Sequence, residues 1–281
     1  MSLPTTRRGF LAGATGLLGA GAAAPPAGAA IDNESAGFKL GVATYSWREF
    51  QRDLAIRMVG DLKTPYVSVK DVHLAVTAPP AEWQRGRREF EKAGLRIMSG
   101  GAIYFTTGDL EDTRRKFEYA KACGMGLIVA GPPRTGLAVM EKFAREYDIQ
   151  IAVHNHGPED KNFPTPQSVL ELVRDMDPHM GLCIDLGHSA RAGADVVASI
   201  AEAGSRLLDV HIKDLLELRN PARQCDVGDG AMPIAAIFRQ LKKIGYKGSV
   251  NLEYEINADN PMPGMQKSFS YMRGVLAGLA G

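Results

Sequence analysis

The sequence predicts an α/β fold, a single (β/α)₈ barrel. From Phe38 onward, short apolar runs rich in β-branched residues alternate with stretches whose apolar residues recur at helical spacing. Eight such pairs follow one another, and about 250 residues is the usual length of this barrel. The alternative is a doubly wound open sheet, but no G-x-G-x-x-G sequence follows the first strand and no linker divides the chain.

The predicted strands are short segments in which apolar and β-branched residues predominate. In chain order they are Leu40–Tyr45, Tyr66–Lys70, Arg96–Ala102, Gly126–Ala130, Gln150–His154, Gly181–Asp185, Leu207–His211 and Ser249–Glu253. Each has the length of an ordinary strand. Because the strands of this barrel run parallel, their carboxyl ends meet at one rim, which is where the active sites of such barrels lie.

Helical patterns fill the gaps between these strands. One face of Ala231–Gly245 carries apolar residues at spacings of three and four, namely Ile234, Ile237, Phe238, Leu241 and Ile244. Another helix is predicted to begin at Thr165-Pro166, because Thr is a favoured N-cap and Pro is favoured at the first helical position.

The first 30 residues have a different composition from the rest. Arg7 and Arg8 precede a mildly apolar, Ala/Gly-rich run, and this pattern resembles a twin-arginine signal peptide. The run is short and glycine-rich compared with the roughly 20 apolar residues of a membrane-spanning helix. We therefore expect residues 1–30 to be removed on export to the periplasm, with residues 31–281 forming one catalytic domain.

The charge balance restricts the possible partners. The chain has 33 basic and 32 acidic residues, and residues 1–30 contain two arginines and no acid. Near-neutrality without a basic run argues against nucleic acid or an anionic membrane as a partner, and leaves a homo-oligomer open. The three cysteines are an odd number without C-x-x-C spacing, so they predict neither a disulfide framework nor a zinc knuckle.

Four consecutive predicted strands end in side chains that can bind a metal ion: His154, Asp185, His211 and Glu253. Taken singly, such residues are usually hydrogen-bonded rim residues or turn formers. Taken together they are unusual, because five of the six histidines fall on or just beyond predicted strand ends: His73, His154, His156, His188 and His211. A mixed His/Asp/Glu set suits a divalent ion such as Mn²⁺, Co²⁺ or Zn²⁺.

Four motifs carry a resemblance to a known family. They are I-D-L-G-H at 184–188, D-V-H-I-K-D at 209–214, V-G-D-G at 227–230 and G-Y-K-G-S-V-N-L-E-Y-E at 245–255. From about Phe38 to Leu279, the chain resembles the sugar phosphate isomerase/epimerase family of xylose isomerase-like TIM barrels. That superfamily also includes inosose dehydratases and metal-dependent abasic-site endonucleases.

The resemblance implies a site with one divalent ion. Asp185, His211 and Glu253 would be ligands, and His154, which stands where the family usually has a Glu, would be the fourth. Mn²⁺ is the first expectation, with Co²⁺, Zn²⁺ or Mg²⁺ as alternatives. Two carboxylates and two neutral imidazoles cancel the charge of a 2+ ion, whereas a third carboxylate would leave the site negative and the ion a weaker Lewis acid.

The implied activity is that of an isomerase or epimerase acting on a keto/hydroxy sugar through a metal-stabilised enediolate. The candidate proton-transfer groups are Glu253, His188 and His156. The candidate substrate-binding groups are His188, Lys70, His73, Lys213 and Trp47.

Two other functions remain open at this point. Because His154 takes the place of one Glu of the pair that such epimerases use, β-elimination or hydration of a 3-keto sugar or glycoside, as in an inosose dehydratase-like lyase, is the first alternative. A non-catalytic, metal-dependent sugar-binding protein is the second. A nuclease is disfavoured, because the near-neutral chain offers no basic groove for a phosphate backbone.

Overall fold

A computed structural model describes residues 34, 37–106, 109–220 and 223–280, and it confirms the predicted fold class. Eight parallel strands form the barrel: β1 (Lys39–Ala43), β2 (Tyr66–Val69), β3 (Arg96–Tyr104), β4 (Leu127–Gly131), β5 (Gln150–His154), β6 (Met180–Asp185), β7 (Leu207–Ile212) and β10 (Ser249–Leu252). They close in the order β1-β10-β7-β6-β5-β4-β3-β2. Two further strands, β8 (Asp214–Leu215) and β9 (Gln224–Cys225), form a separate small sheet. The predicted signal peptide, residues 1–30, lies outside the described residues.

Helices follow the barrel strands. They are α1 (Arg52–Asp61), α2 (Pro80–Lys92), α3 (Leu110–Ala122), α4 (Leu137–Tyr147), α5 (Pro166–Val173), α6 (Leu186–Arg191), α7 (Val196–Ala203), α8 (Ile234–Lys243) and α9 (Met262–Ala280). Short 3₁₀ helices occur at Thr44–Trp47, Arg134–Gly136 and Gly204–Arg206. In the described ranges, none of the helices is both long and apolar enough to cross a lipid bilayer.

Local sequence accounts for where two of these helices begin. Helix α5 starts as predicted, with Thr165 as N-cap: its hydroxyl accepts a hydrogen bond from the backbone N–H of Ser168 at 3.2 Å. Helix α8 begins at Ile234 rather than at Ala231. The residues before it are held in a loop, where the backbone N–H of Met232 donates to Oδ1 of Asp214 at 3.0 Å.

The barrel interior is partly polar on the amino-terminal side of the rim. Asp209 in β7 is fully buried and accepts hydrogen bonds from Ser99 Oγ at 2.8 Å, Ser249 Oγ at 3.2 Å and Asn251 Nδ2 at 2.8 Å. Burial raises the pKa of the Asp209 carboxyl. A buried carboxylate is costly unless its oxygens accept hydrogen bonds, and these three bonds meet that requirement. They also connect β7 to β3 and β10.

The loop after β7 contains a small sheet that the sequence did not predict, in which β8 and β9 pair in antiparallel fashion. The carboxylate of Asp214 also accepts the backbone N–H groups of Gly228 at 2.9 Å and Gly230 at 3.1 Å. A Cβ atom on Gly230 would lie 2.1 Å from Asp214 Oδ1, so this position has no room for a side chain. The V-G-D-G motif therefore serves to fix this loop beside the barrel rim.

Candidate metal centre and active-site cavity

Four side chains meet at the carboxyl end of the barrel. His154 and Asp185 are the last residues of β5 and β6, His211 lies in β7, and Glu253 directly follows β10. The strand register pairs Asp185 with His211, which brings them to the same height. One nitrogen or oxygen atom from each of the four side chains lies within 4.8 Å of the others. The prediction from strand ends therefore corresponds to one cluster in space.

The donor atoms of this cluster fit a bound cation. In the described structure, both ring nitrogens of His211 are buried and form no hydrogen bond, and Nδ1 lies 3.4 Å from Glu253 Oε2. Oδ2 of Asp185 is buried too, with the ammonium of Lys213 at 3.0 Å. Buried polar atoms without partners are costly, so such atoms usually have a ligand. Burial also lowers the pKa of His154, which leaves its imidazole neutral with a lone pair to donate. These four residues could hold one divalent metal ion.

Cys183 provides a second set of potential ligands that the sequence did not indicate. It lies on β6, two residues before Asp185, and its Sγ is within 4.8 Å of donor nitrogens of His154 and His211. Burial raises the pKa of this thiol to about 12, so it stays protonated at neutral pH. Because the thiolate is the form that binds metals, the set with Asp185 and Glu253 fits a cation better.

Lys213, a predicted substrate-binding residue, lies among the carboxylates of the cluster rather than at the cavity surface. Its Nζ is 3.0 Å from Asp185 Oδ2, 2.9 Å from Glu253 Oε2 and 2.6 Å from Glu255 Oε2. Only 3% of the residue is exposed, and it does not line the cavity. Residue 213 lies two positions after His211, so the two side chains leave the chain on the same face. The carboxylate of Glu255 contacts the Lys213 ammonium there.

These contacts determine the charge states of the cluster. Burial disfavours the ammonium, but the three carboxylates raise the pKa of Lys213 well above its ordinary value. Burial alone would likewise raise the pKa of Glu253, but Lys213 and His211 hold it well below the usual range. Burial disfavours the imidazolium of His211, but Cys183 and Glu253 raise the pKa of this ring well above its usual value. Lys213 and Glu255 cancel one another, so an ion that took the place of the His211 proton would be balanced by the charges of Asp185 and Glu253.

Asn155, between the two histidines at the end of β5, has a structural role. Its Oδ1 accepts the backbone N–H of Asp185 at 3.0 Å, and its Nδ2 donates to the carbonyl of Asp185 at 3.3 Å and to Ser189 Oγ at 3.1 Å. The side chain is fully buried. An amide can donate and accept at once, so it fixes the end of β5 against the start of α6.

His156 and His188 extend the site beyond the metal cluster. Their ring centroids are 4.5 Å apart, and the His156 ring lies 5.6 Å from that of His154. Burial is the main cause that lowers the pKa of His188 to about 3; Asp185 opposes this shift and Lys213 adds to it. The imidazole of His188 is therefore neutral at neutral pH.

These residues border a cavity of about 270 Å³ at the barrel mouth. Its other wall comes from the β1, β2 and β3 side, where Lys70 lies 5.5 Å from the Tyr45 ring centroid and 5.8 Å from that of Tyr104. Lys70 donates a hydrogen bond to the carbonyl of Ala102 at 3.1 Å. The lining residues are Tyr45, Lys70, Ala102, Tyr104, His154, His156, His188, His211, Glu253 and Glu255.

Two predicted substrate-binding residues do not reach this cavity. Trp47 is 0% exposed and packs in the hydrophobic core, and His73 is 2% exposed with its Nε2 3.2 Å from the carbonyl of Phe50. The two side chains lie away from the cavity for the same reason, since each residue follows its strand inside a turn that points the side chain inward, and their part in substrate binding stays a prediction. A 3₁₀ turn rotates successive side chains by about 120°, so Tyr45 faces the cavity and Trp47 does not.

Tyr45, Tyr104 and Arg191 belong to the site but were not recognised from the sequence. Tyr45 is two residues beyond β1 and Tyr104 is the last residue of β3, so the strand-end rule applied to aromatic residues would have found them. Arg191 follows His188 by three positions in α6, a spacing that places both on one helix face.

Comparisons with known proteins agree with this architecture. A family profile described as "Xylose isomerase-like TIM barrel" matches residues 64–275. An inosose dehydratase of Mesomycoplasma hyopneumoniae (strain 7448) is 26% identical over 162 residues, which cover 50% of this chain and 53% of that protein. The chain thus spans about half the length of the curated relatives it matches.

Solved structures share the fold. A xylose isomerase domain protein from Alicyclobacillus acidocaldarius subsp. acidocaldarius superposes with a TM-score of 0.72 at 17% identity, covering 86% of this chain and 99% of that one. The 3-keto-D-glucoside 4-epimerase YcjR from E. coli superposes with a TM-score of 0.71 at 16% identity, covering 84% and 99%.

The buried ammonium gives a first prediction. Lys213→Met removes the cation from among three carboxylates, so the metal-free protein should lose about 3–5 kcal/mol of unfolding free energy. Adding Mn²⁺ should restore part of that loss, because the ion supplies positive charge to two of the same carboxylates. Urea unfolding followed by circular dichroism, with and without Mn²⁺, measures both effects. Lys142→Met, at an exposed lysine, is the control; equal stability of the two variants would contradict the assignment.

Proposed function

The chain belongs to the xylose isomerase-like TIM barrel family, and from this premise we propose that it is a divalent-metal-dependent sugar isomerase or epimerase. Relatives and structural neighbours include epimerases and dehydratases. The observation that carries the proposal is the meeting of His154, Asp185, His211 and Glu253 at the edge of a polar cavity, where both ring nitrogens of His211 are buried without a hydrogen bond.

The proposed cofactor is one divalent ion held by those four residues. Mn²⁺ is the first choice and Co²⁺, Zn²⁺ and Mg²⁺ are alternatives, because two imidazole nitrogens and two carboxylates form a mixed donor set. When bound there, the ion supplies a Lewis acid that polarises a substrate carbonyl and lowers the cost of developing negative charge.

Residues of the chain itself would bind the sugar and move its proton. Burial raises the pKa of Glu253, but Lys213 and His211 outweigh it and keep this group unprotonated, and we assign its carboxylate as the first candidate proton acceptor. His156 lines the same cavity and is a second proton-transfer candidate. On the other wall, Lys70 forms no ion pair within the described parts of the chain. Its ammonium has three N–H groups and gives one to the Ala102 carbonyl, so others remain for sugar oxygens.

The single glutamate of the cluster bears on the type of reaction. An epimerase that inverts a carbon needs a proton-transfer group on each face of that carbon, and His154 stands in place of a second metal-binding glutamate. A one-sided sequence remains feasible, in which one base removes the proton beside a carbonyl. The proton then returns to the neighbouring carbon, or a β-substituent departs.

The second proposed function is therefore a lyase or hydratase, in which a 3-keto sugar or glycoside undergoes β-elimination or hydration. The relative named inosose dehydratase supports this alternative. A non-catalytic, metal-dependent sugar-binding protein is the third. His188→Gln distinguishes the last from both enzymes, because an enzyme loses turnover while keeping part of its binding, whereas a binding protein loses affinity alone.

The proposed partner is a small carbohydrate rather than a nucleic acid, in keeping with the near-neutral charge. We also propose a periplasmic location, on the strength of the Arg7-Arg8 sequence alone. Export disfavours sugar phosphates as substrates, because phosphorylation is largely a cytoplasmic means of retaining sugars. Free sugars, 3-keto-glycosides and inososes are the substrates to assay first.

The proposed chemistry predicts exchange of a carbon-bound proton. A substrate that is turned over by the metal-loaded enzyme in D₂O should gain deuterium at a carbon next to its carbonyl, because isomerisation, epimerisation and β-elimination all remove that proton. NMR of the recovered sugar measures the incorporation, and His188→Gln serves as the low-activity comparison. Turnover without any deuterium at these carbons would point to hydride transfer instead.

Export makes a separate prediction. Replacing Arg7 and Arg8 with lysine should leave the protein in the cytoplasm, because the twin-arginine pathway requires the paired guanidinium groups. Fractionation of cells, followed by immunoblotting for the full-length and processed chains, measures this. A single lysine replacement elsewhere, at Lys142→Arg, controls for expression. Unchanged export of the Lys-Lys variant would argue against the proposed location.

A further inference from the structure

Arg191 contacts the ring of His188 at the nitrogen that does not face the metal cluster. Nη1 of Arg191 lies 2.9 Å from Nδ1 of His188. The other ring nitrogen, Nε2, lies 4.0 Å from Oδ2 of Asp185 and has no hydrogen-bond partner among the described residues. Because His188 also lines the cavity, Nε2 is the nitrogen available to a substrate.

The chemistry of a guanidinium group decides where the proton of this imidazole sits. Arginine has five N–H donors and no acceptor, and it keeps its proton at any pH that proteins experience. The contact with Arg191 is therefore a hydrogen bond only if Nδ1 of His188 is unprotonated and accepts. A neutral imidazole with a free Nδ1 carries its hydrogen on Nε2.

Neighbouring residues hold Arg191 in this position. Nη2 of Arg191 donates a hydrogen bond to Oε1 of Glu159, which lies in the loop after β5. Only 10% of the Arg191 side chain is exposed, so the guanidinium has little freedom to leave. The pair thus positions the imidazole in the way that carboxylates and carbonyls position histidines in other sites.

Gly157 leaves the space that this arrangement needs. Its φ of +87° is unfavourable for other residues, and a Cβ atom there would lie 3.2 Å from both His188 Nδ1 and Glu159 Oε2. The glycine after the second histidine of H-N-H-G-P-E therefore allows the loop to pass close to the His188–Arg191 contact. The loop after β5 and helix α6 therefore pack together at the cavity wall.

We propose that Arg191 is a positioning residue that fixes His188 as the neutral Nε2–H tautomer, so that His188 donates a hydrogen bond to a substrate oxygen and does not remove a proton. This inference rests on the proposed function, and it narrows the roles of its residues. With no lone pair facing the cavity, His188 is not the base, and proton removal falls to Glu253 or His156. The substrate must also present an acceptor, a carbonyl or enolate oxygen, to Nε2.

The protonation of the two nitrogens can be read directly by NMR. Protein labelled with ¹⁵N-histidine and loaded with Zn²⁺, which is diamagnetic, should show a pyridine-like shift for Nδ1 and a pyrrole-like shift for Nε2 of His188. The signals that vanish in His188→Gln identify this residue. A wild-type Nδ1 that carries the proton would overturn the proposal, whether or not a substrate has been found.

Substitution of Arg191 tests its effect on turnover. Arg191→Met removes the donor, so the tautomers should mix and kcat should fall by about 10–100-fold, the usual effect of losing a residue that orients a functional histidine. KM should change less than kcat, and Arg191→Lys, which keeps a donor, should restore part of the activity. Arg174→Met, at an exposed arginine that caps the end of helix α5, is the control.

The outcomes distinguish a failure of the positioning role from a failure of the proposed function. If Arg191→Met retains both the wild-type tautomer and wild-type kcat, the positioning role is wrong even though the enzyme assignment stands. If no sugar is turned over by any variant, the proposed function fails, while the ¹⁵N spectra still decide the tautomer. Should Arg191→Met not fold, Glu159→Gln, at a side chain that is 60% exposed, weakens the same contact with little risk to the core.

Discussion

Two carboxylates, those of Asp185 and Glu253, are buried together at the mouth of the barrel, and the rest of the site depends on the positive charge that must accompany them. Like charges this close repel strongly in a medium of low dielectric. Lys213 lies within 3.0 Å of both, and Glu255 balances its charge. A divalent ion that took the place of the His211 proton would meet two negative charges and two imidazoles, which is a donor set and a charge that suit it.

The barrel and the cluster of potential metal ligands were predictable from the sequence, because both follow from the strands. Parallel strands of similar length place their last residues at one rim, so the strand pattern alone assigns His154, Asp185 and His211 to one place. The predicted ends of β5, β6 and β7 differ from the observed ends by at most one residue. Where the end of a strand is predicted correctly, the direction of its last side chain is predicted with it.

Residues beyond the strand ends were harder to place, because turns redirect side chains. Trp47 follows a strand within a 3₁₀ helix, and its ring turns into the core, where it is fully buried. Lys213 was expected to meet substrate, but three carboxylates enclose it. The ammonium of Lys213 pairs with Asp185 and Glu255, which lie 28 and 42 positions away in the sequence. No local sequence pattern predicts a contact between residues so far apart.

X-ray diffraction from crystals of the Mn²⁺-loaded protein, recorded with anomalous scattering from the metal, tests most directly whether His154, Asp185, His211 and Glu253 bind one ion. The account predicts a single strong anomalous peak at about 2.0–2.2 Å from a donor atom of each residue, the range of metal–nitrogen and metal–oxygen bonds. A peak elsewhere in the barrel, or four side chains that diverge around an empty centre at saturating Mn²⁺, would contradict it.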